Sequence, residues 1–316
     1  MNTKHLVDKD LLPALENMPP FSLSATTLAP GRAMLLKMLS AATVPVEISV
    51  TEHYAPGPDG APDVRLLVFS PRKTGARRAA FLHLHGGGYV MGAPQMFARQ
   101  CGAIIGEVGC VVVSVDYRLA PETVYPGPLE DCYAALRWLY KNSASFDVDP
   151  ARIVIGGESA GGGLAAALGL LARDRGDVPV AFQLLSYPML DDRTGTVSKT
   201  HSFTGEFVWN AESNQYGWQS MLGHPTGGPA VSGYAAAARA DDLAGLPPTW
   251  IGVGSIDLFV EENIDYARRL LQAGVPTELH VYPGAYHGFD LSVESAAISK
   301  QFRRDMVQAL RRAVQG

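Results

Sequence analysis

A serine placed between small residues is the first candidate for chemistry in this sequence. Residues 153–155 form an apolar β-branched run, residues 157–161 are Gly-Glu-Ser-Ala-Gly, and a Leu- and Ala-rich segment follows. This pattern predicts a strand, a tight turn and a helix. Ser159 would then lie on a strained turn with its hydroxyl exposed above a sheet, as in a nucleophile elbow. Gly157 and Gly161 suit such a turn, because a Cβ would clash where strand and helix approach closely.

A second glycine run supports a catalytic role for that serine. The pattern at 157–161 alone also fits a glycine-rich turn that binds phosphate, because 33 of the 316 residues are glycine. Residues 86–92, the glycine loop, begin with three consecutive glycines, and their N–H groups could meet a developing oxyanion together with that of Ala160. A Walker-type phosphate loop would require Gly-Lys-Ser/Thr, which the sequence lacks. We expect His85 to tether this loop and His83 to be a core residue.

Two further candidates follow predicted strands near the C-terminus. Asp257 comes after a strand predicted at 249–253, and His287 comes after one predicted at 277–282. Because functional residues lie at the carboxyl ends of strands in parallel sheets, we expect Ser159, Asp257 and His287 to meet. Their order along the chain is that of α/β-hydrolases. Each alone has a structural alternative, a helix N-cap for Asp257 and a turn residue for His287.

Alternating strands and helices must position these residues. Strands are predicted at 46–54, 64–69, 79–85, 111–115, 153–155, 180–186, 249–253 and 277–282, and helices at about 129–141, after 159, at 261–273 and at about 293–313. The first two strands, joined by a turn-rich segment, predict an antiparallel hairpin at one sheet edge. The alternation predicts an α/β fold, a mostly parallel sheet of about eight strands flanked by helices.

Two segments outside this alternation are candidates for a helical cap. We predict an N-terminal cap segment at 1–45 and a catalytic domain at 46–316, with a second cap segment inserted at about 190–235. Apolar faces in the first segment comprise Leu6, Leu11, Leu12 and Leu15, then Met34, Leu35, Met38 and Leu39. The second carries the aromatic-rich set Phe203, Phe207, Trp209, Tyr216, Trp218 and Met221. An ordinary helical lobe with its own apolar core is the alternative for both.

Composition excludes several classes of function. The formal net charge is −5 with no long run of one sign, so nothing indicates a nucleic-acid surface. We expect a cytoplasmic protein, because the apolar runs are too short for a membrane span and the N-terminus lacks a signal-peptide core. Three cysteines without Cys-x-x-Cys spacing argue against a disulfide framework or a zinc site, and we expect them to be buried.

Taken together, five segments resemble the bacterial branch of the hormone-sensitive-lipase-like carboxylesterases, within the α/β-hydrolase fold. They are 85–89 (His-Gly-Gly-Gly-Tyr), 116–122 (Asp-Tyr-Arg-Leu-Ala-Pro-Glu), 157–162 (Gly-Glu-Ser-Ala-Gly-Gly), 257–258 (Asp-Leu) and 287–289 (His-Gly-Phe). Glu158 stands where many members have aspartate or threonine, which indicates a less common subgroup. We interpret Arg118 and Glu122 as a structural charge network and not as catalysts.

The resemblance implies a role for each site residue. It implies Ser159 as nucleophile, His287 as base and Asp257 as the residue that orients the base. It also implies an oxyanion hole made by the N–H groups of Gly87, Gly88 and Ala160. We further predict that Tyr89, Phe207, Trp209 and Leu258 contact the substrate.

The expected activity is hydrolysis of short- to medium-chain acyl esters through an acyl-enzyme, with no metal or organic cofactor. An amidase or formamidase, or an acyltransferase, would use the same triad. A non-catalytic ligand-binding homologue is the alternative from another class. The expected partner is a small-molecule ester, without nucleic acid or membrane insertion. The last predicted strand, 277–282, offers an edge for a homodimer.

Overall fold

One sheet runs through the computed structural model, which describes residues 3–16, 22–39, 48–72, 77–198 and 200–315. Its strands are β1 (Ile48–Ala55), β2 (Val64–Pro71), β3 (Arg78–Leu84), β4 (Val111–Asp116), β5 (Val148–Glu158), β6 (Phe182–Ser186), β7 (Thr249–Gly254) and β8 (Thr277–Tyr282). They lie in the order β1-β2-β4-β3-β5-β6-β7-β8. β2 is antiparallel to β1 and β4, and the other pairs are parallel. The predicted edge hairpin and mostly parallel eight-stranded sheet are confirmed.

Helices cover both faces of the sheet. They are α1 (Leu12–Glu16), α2 (Leu28–Leu39), α3 (Ala98–Val108), α4 (Gly127–Lys141), α5 (Ala160–Arg175), α6 (Ala211–Leu222), α7 (Val260–Gln272), α8 (Phe289–Ser292) and α9 (Ala297–Gln315). One core lies between the sheet and α4, α5 and α7, and the other between the sheet and α3 and α9. Phe81 and Leu82, neighbours on β3, contribute to opposite cores because successive strand residues point to opposite faces. The strands are therefore apolar on both faces.

Helix α3 is missing from the predicted elements. Its sequence contains Gly102 and Gly106 and two consecutive isoleucines, all of which lower intrinsic helix propensity. Packing of its Cys101 and Ile104 side chains against the sheet compensates for that weak local preference. The last helix also begins later than predicted, at Ala297, after the single turn of α8.

The N-terminal segment is helical in part, as predicted, but its apolar faces differ from the prediction. Leu11 is fully buried, whereas Leu6 is 38% and Met34 67% exposed. The chain forms a 3₁₀ turn at Lys4–Leu6 and then extends, so that Val7 is buried where helical spacing predicts Leu6. Residues 17–21 and 40–45 of the predicted cap segment, and the side chains of Met38 and Leu39, lie outside the described residues.

Two ion pairs confirm that the segment 116–122 is structural. Arg118 donates to both carboxylate oxygens of the buried Asp131, at 2.8 and 2.7 Å. Glu122 instead pairs with Arg32 of α2, at 2.6 and 2.9 Å. Arg32 also donates to the carbonyl oxygen of Val90 at 2.7 Å. Helix α2 is thereby attached to the glycine loop.

The three cysteines are buried, as predicted. Cys101, Cys110 and Cys132 are free and buried, and burial raises the pKa of the Cys110 thiol to about 12. No helix in the described ranges is both long and apolar enough to cross a membrane. Within the same ranges, no group of three or more His, Cys, Asp or Glu side chains could hold a metal ion.

We expect Asp131→Ala to lower the free energy of unfolding by about 2 kcal/mol, because it removes the buried carboxylate that accepts the charge-assisted hydrogen bonds of Arg118. Asp265→Ala is the matched control. Its pair with Arg268 is more than half exposed on both sides, so we expect a change below about 0.5 kcal/mol. Urea unfolding followed by circular dichroism measures both variants. Equal unfolding midpoints for the two variants would contradict the assignment of Arg118 and Asp131 as a structural pair.

Candidate active site

Ser159 lies on the turn between β5 and α5 in a conformation that non-glycine residues rarely adopt. Its φ is +56° and its ψ −119°. Three backbone hydrogen bonds hold it there. Its N–H donates to the carbonyl of Ser186 at 2.9 Å, and its own carbonyl accepts from the N–H groups of Gly163 and Met189, each at 3.0 Å. The side chain is 7% exposed.

The glycines on either side of Ser159 allow a close approach to β3. A Cβ added to Gly157 or to Gly161 would lie 2.0 Å from the carbonyl oxygen of Leu84. No side chain fits at that distance, so the predicted reason for both glycines is confirmed. Since the glycine loop follows β3 directly, the same contact brings that loop next to Ser159.

His287 joins Ser159 to Asp257. Its Nε2 lies 2.9 Å from Ser159 Oγ, and its Nδ1 lies 2.8 Å from Asp257 Oδ2. Asp257 Oδ1 accepts the backbone N–H of Phe259 at 2.9 Å, which orients the carboxylate. Asp257 is 1% and His287 6% exposed. This geometry lets the imidazole take a proton from the serine hydroxyl while the carboxylate holds the Nδ1–H tautomer.

The glycine loop lies beside the serine, since a Cβ on Gly86 would lie 3.5 Å from Ser159 Cβ. Gly87 has a φ of +126° and Gly88 a φ of +61°. A Cβ on Gly87 would lie 2.0 Å from the carbonyl oxygen of Met91, so this position excludes a side chain. Ala160 begins α5, and the N–H groups at the start of a helix have no partner within the helix. Among the described residues, no hydrogen bond uses the N–H of Gly87, Gly88 or Ala160.

The four residues predicted to contact substrate lie in different surroundings. Trp209 contacts Gly88, and its ring centroid lies 6.1 Å from that of His287. Phe207 lies 6.3 Å from the ring of Tyr286, and Leu258 is buried beneath the second predicted cap segment. Tyr89 is fully buried and donates its hydroxyl to the carbonyl of Met189 at 3.0 Å. The observed contacts of Tyr89 are with other parts of the protein. Contact of any of the four residues with substrate stays a prediction.

His83 on β3, and His85 between β3 and the glycine loop, are structural, as predicted. His83 is 1% exposed and lies 2.8 Å from Ser114 Oγ and 2.9 Å from Glu158 Oε2. His85 stacks on Tyr117, and its Nδ1 donates to the carbonyl of Gly86 at 2.9 Å. Complete burial lowers the pKa of His85 to about 3, so its ring is neutral at ordinary pH.

Three residues near His287 are missing from the sequence prediction. The rings of Tyr187 and Phe259 meet the imidazole edge to face, with centroids 5.0 and 5.1 Å away. Asp290 accepts the hydroxyl of Tyr187 at 2.9 Å. Tyr187 directly follows β6, so the rule that functional residues lie at carboxyl ends of strands could have found it. No local pattern indicates Asp290.

Comparison with known proteins places this chain in a known family. A model of the alpha/beta hydrolase fold family matches residues 81–291. The chain is 34% identical to "Esterase LipI" of Mycobacterium tuberculosis, over 90% of this chain and 88% of that protein. It is 32% identical to "Carboxylesterase NlhH" of the same organism, over 92% of each. The solved structure "Bacterial Heroin Esterase" superposes with a TM-score of 0.93 at 41% identity, covering 100% of both chains.

We expect Ser159→Gly to be more stable than Ser159→Ala by about 1 kcal/mol. Both variants lose the hydroxyl, but only glycine relieves the backbone strain at φ +56°, which costs roughly 1–3 kcal/mol. The extra backbone entropy that glycine loses on folding offsets roughly 0.5–1 kcal/mol of this gain. Thermal unfolding of the two variants in the same buffer measures the difference. If Ser159→Ala melts at the higher temperature, the turn is not strained.

Proposed function

Because this chain belongs to the hormone-sensitive-lipase-like branch of the alpha/beta hydrolase fold family, we propose that it is a serine carboxylesterase. The observation that carries the proposal is the imidazole of His287, which lies within hydrogen-bonding distance of both Ser159 and Asp257. The substrate is a small-molecule ester. In this proposal Ser159 is the nucleophile, His287 is the base and backbone N–H groups are the oxyanion donors, and the proposed steps use no metal or organic cofactor.

In the first step, Ser159 Oγ attacks the ester carbonyl as His287 Nε2 takes its proton. The carbonyl oxygen becomes an oxyanion that the N–H groups of Gly87, Gly88 and Ala160 stabilise. Each such donor contributes roughly 10²- to 10³-fold in rate. Asp257 stabilises the imidazolium that forms, and its bond to Phe259 N–H keeps the carboxylate in place. The imidazolium then protonates the departing alcohol, and the acyl group remains on Ser159.

In the second step, water releases the acid. His287 takes a proton from the water as the water oxygen attacks the acyl carbonyl, and the same donors stabilise the second oxyanion. Collapse of this intermediate breaks the bond to Ser159 Oγ, which recovers its proton from His287. An added alcohol or an amide substrate would use the same steps, so the choice between ester hydrolysis and its alternatives depends on the substrate and the acceptor.

We propose that residues 1–45 and about 190–235 form a cap that limits the length of the acyl chain. Two contacts support this proposal. Trp209, from the second segment, lies against Gly88 and near His287. Arg32, from the first segment, is bonded to Val90 of the glycine loop. A cap that bounds the space beside the triad would favour short- to medium-chain esters.

Two further proposals concern the molecule as a whole. β8 is an edge strand whose backbone faces no further strand in the described sheet, so we propose that a second copy of the chain pairs there. The three cysteines are free and buried without disulfides, which supports a cytoplasmic location.

We expect wild-type protein to hydrolyse p-nitrophenyl esters with a maximum at short acyl chains, and Ser159→Ala to lose at least about 10⁴-fold of kcat because the nucleophile is absent. Ser145→Ala, an exposed serine far from the triad, is the control and should keep full activity. Release of p-nitrophenol measures the rates. Hydrolysis of p-nitroacetanilide without ester hydrolysis would favour an amidase, and activity that survives in Ser159→Ala would exclude this serine as the nucleophile.

We expect Trp209→Leu to raise the decanoate-to-butyrate ratio of kcat/KM by about tenfold, because it opens space beside Gly88 while keeping the wall apolar. Trp138→Leu is the control, since Trp138 lies on α4 and packs against Phe146, away from the triad. The same p-nitrophenyl ester series measures both variants. An unchanged ratio in Trp209→Leu would show that Trp209 does not limit chain length.

A further inference from the structure

Tyr187 contacts the catalytic histidine from a strained backbone position. It directly follows β6, is fully buried, and meets the His287 imidazole at an interplanar angle of 70°. Its N–H donates to the carbonyl of Gly252 on β7 at 2.7 Å. Its φ of +36° is uncommon for a residue with a side chain. Strained positions of this kind are concentrated at functional sites, which directs attention to what the side chain holds.

The Tyr187 hydroxyl connects β6 to the segment that carries His287. It donates to Asp290 Oδ1 at 2.9 Å. Asp290 lies three residues after His287, in the first turn of α8, and is 6% exposed. The imidazole and the carboxylate that holds the tyrosine ring therefore belong to the same short stretch of chain.

Asp290 is not explained by the stability of the fold. The buried aspartates Asp131 and Asp192 each pair with an arginine, Arg118 and Arg239. Asp290 forms no ion pair with a side chain in the described ranges, and burial raises its pKa to about 6. A buried carboxylate without a cation costs free energy. Its hydrogen bond to Tyr187 is therefore better explained by a role at the site.

Once Ser159 is acylated its hydroxyl is gone, so the bond from Nδ1 to Asp257 is the one triad contact that still holds the His287 imidazole. A ring held at one atom can tilt and carry Nε2 away from the reacting atoms. Side chains packed against the ring remove this freedom, and a misplacement of about 1 Å can cost roughly 10²-fold in rate. Phe259 supplies one such contact without a polar anchor, whereas Tyr187 is anchored through its hydroxyl.

On the basis of the proposed ester hydrolysis, we propose that Tyr187 and Asp290 are positioning residues that hold the His287 imidazole with Nε2 facing Ser159. Neither residue exchanges a proton with the substrate. The bond between them fixes the edge of the tyrosine ring against the imidazole. Its loss should lower the rate of the chemical steps and leave substrate binding unchanged.

Tyr187→Phe tests the proposal because it keeps the ring and removes only the anchoring hydroxyl. We expect kcat for p-nitrophenyl butyrate to fall about tenfold and KM to stay within about twofold. Tyr282→Phe is the matched control. It removes a hydroxyl that lies away from the triad and whose hydrogen bond to Asp305 Oδ2 is also 2.9 Å long. We expect it to change neither kcat nor KM by more than about twofold. Titration with a fluorophosphonate gives the concentration of competent sites, so that kcat is expressed per site.

Asp290→Asn covers the case in which Tyr187→Phe does not fold, and the double variant extends the test where it does fold. Asp290→Asn removes the charge from the same hydrogen bond and should also lower kcat per site. If the two residues act as a unit, the double variant loses little more than Tyr187→Phe alone. Additive losses would overturn the proposal.

These experiments distinguish failure of the positioning role from failure of the proposed esterase activity. Wild-type protein that neither hydrolyses esters nor reacts with the fluorophosphonate would overturn both. Wild-type activity together with equal kcat per site in Tyr187→Phe and Tyr282→Phe would overturn only the positioning role. A raised KM with unchanged kcat in Tyr187→Phe would also overturn it, since that result indicates lost substrate binding.

Discussion

The approach of the turn at Ser159 to the end of β3 is the constraint on which the site depends. The carbonyl of Leu84 lies so close to Gly157 and Gly161 that no side chain fits there. Because the glycine loop continues directly from β3, this contact also sets the distance between the serine and the loop. The two glycines beside Ser159 therefore have one physical cause, the close packing of two backbones.

The order of strands in the sheet assembles the rest of the site around His287. Ser159, Tyr187 and Asp257 follow β5, β6 and β7, which are consecutive neighbours in the sheet, and His287 follows β8 beside them. All these strands are parallel, so their carboxyl ends meet at one edge. Ser159 and His287, which are 128 positions apart in the chain, are thus within hydrogen-bonding distance. The aromatic rings around the imidazole come from the same edge.

Polar contacts attach the N-terminal helices to this framework. Met34 of α2 is largely exposed, while Arg32 on the same helix reaches the carbonyls of Val90 and Ala120 and the carboxylate of Glu122. The glycine loop is thus bounded by Arg32 near its end and by Trp209 at Gly88.

The sequence by itself determined the alternation of strands and helices and the meeting of Ser159, Asp257 and His287. These follow from local patterns, namely apolar runs, the glycines at 157 and 161, and polar residues just after strands. Only the tertiary structure decided that α3 is a helix, that Met34 faces solvent and that Tyr187 meets the His287 imidazole while its hydroxyl bonds Asp290. Each of these depends on contacts between segments far apart in the chain, and such contacts leave no periodic signal in the sequence around any one of them.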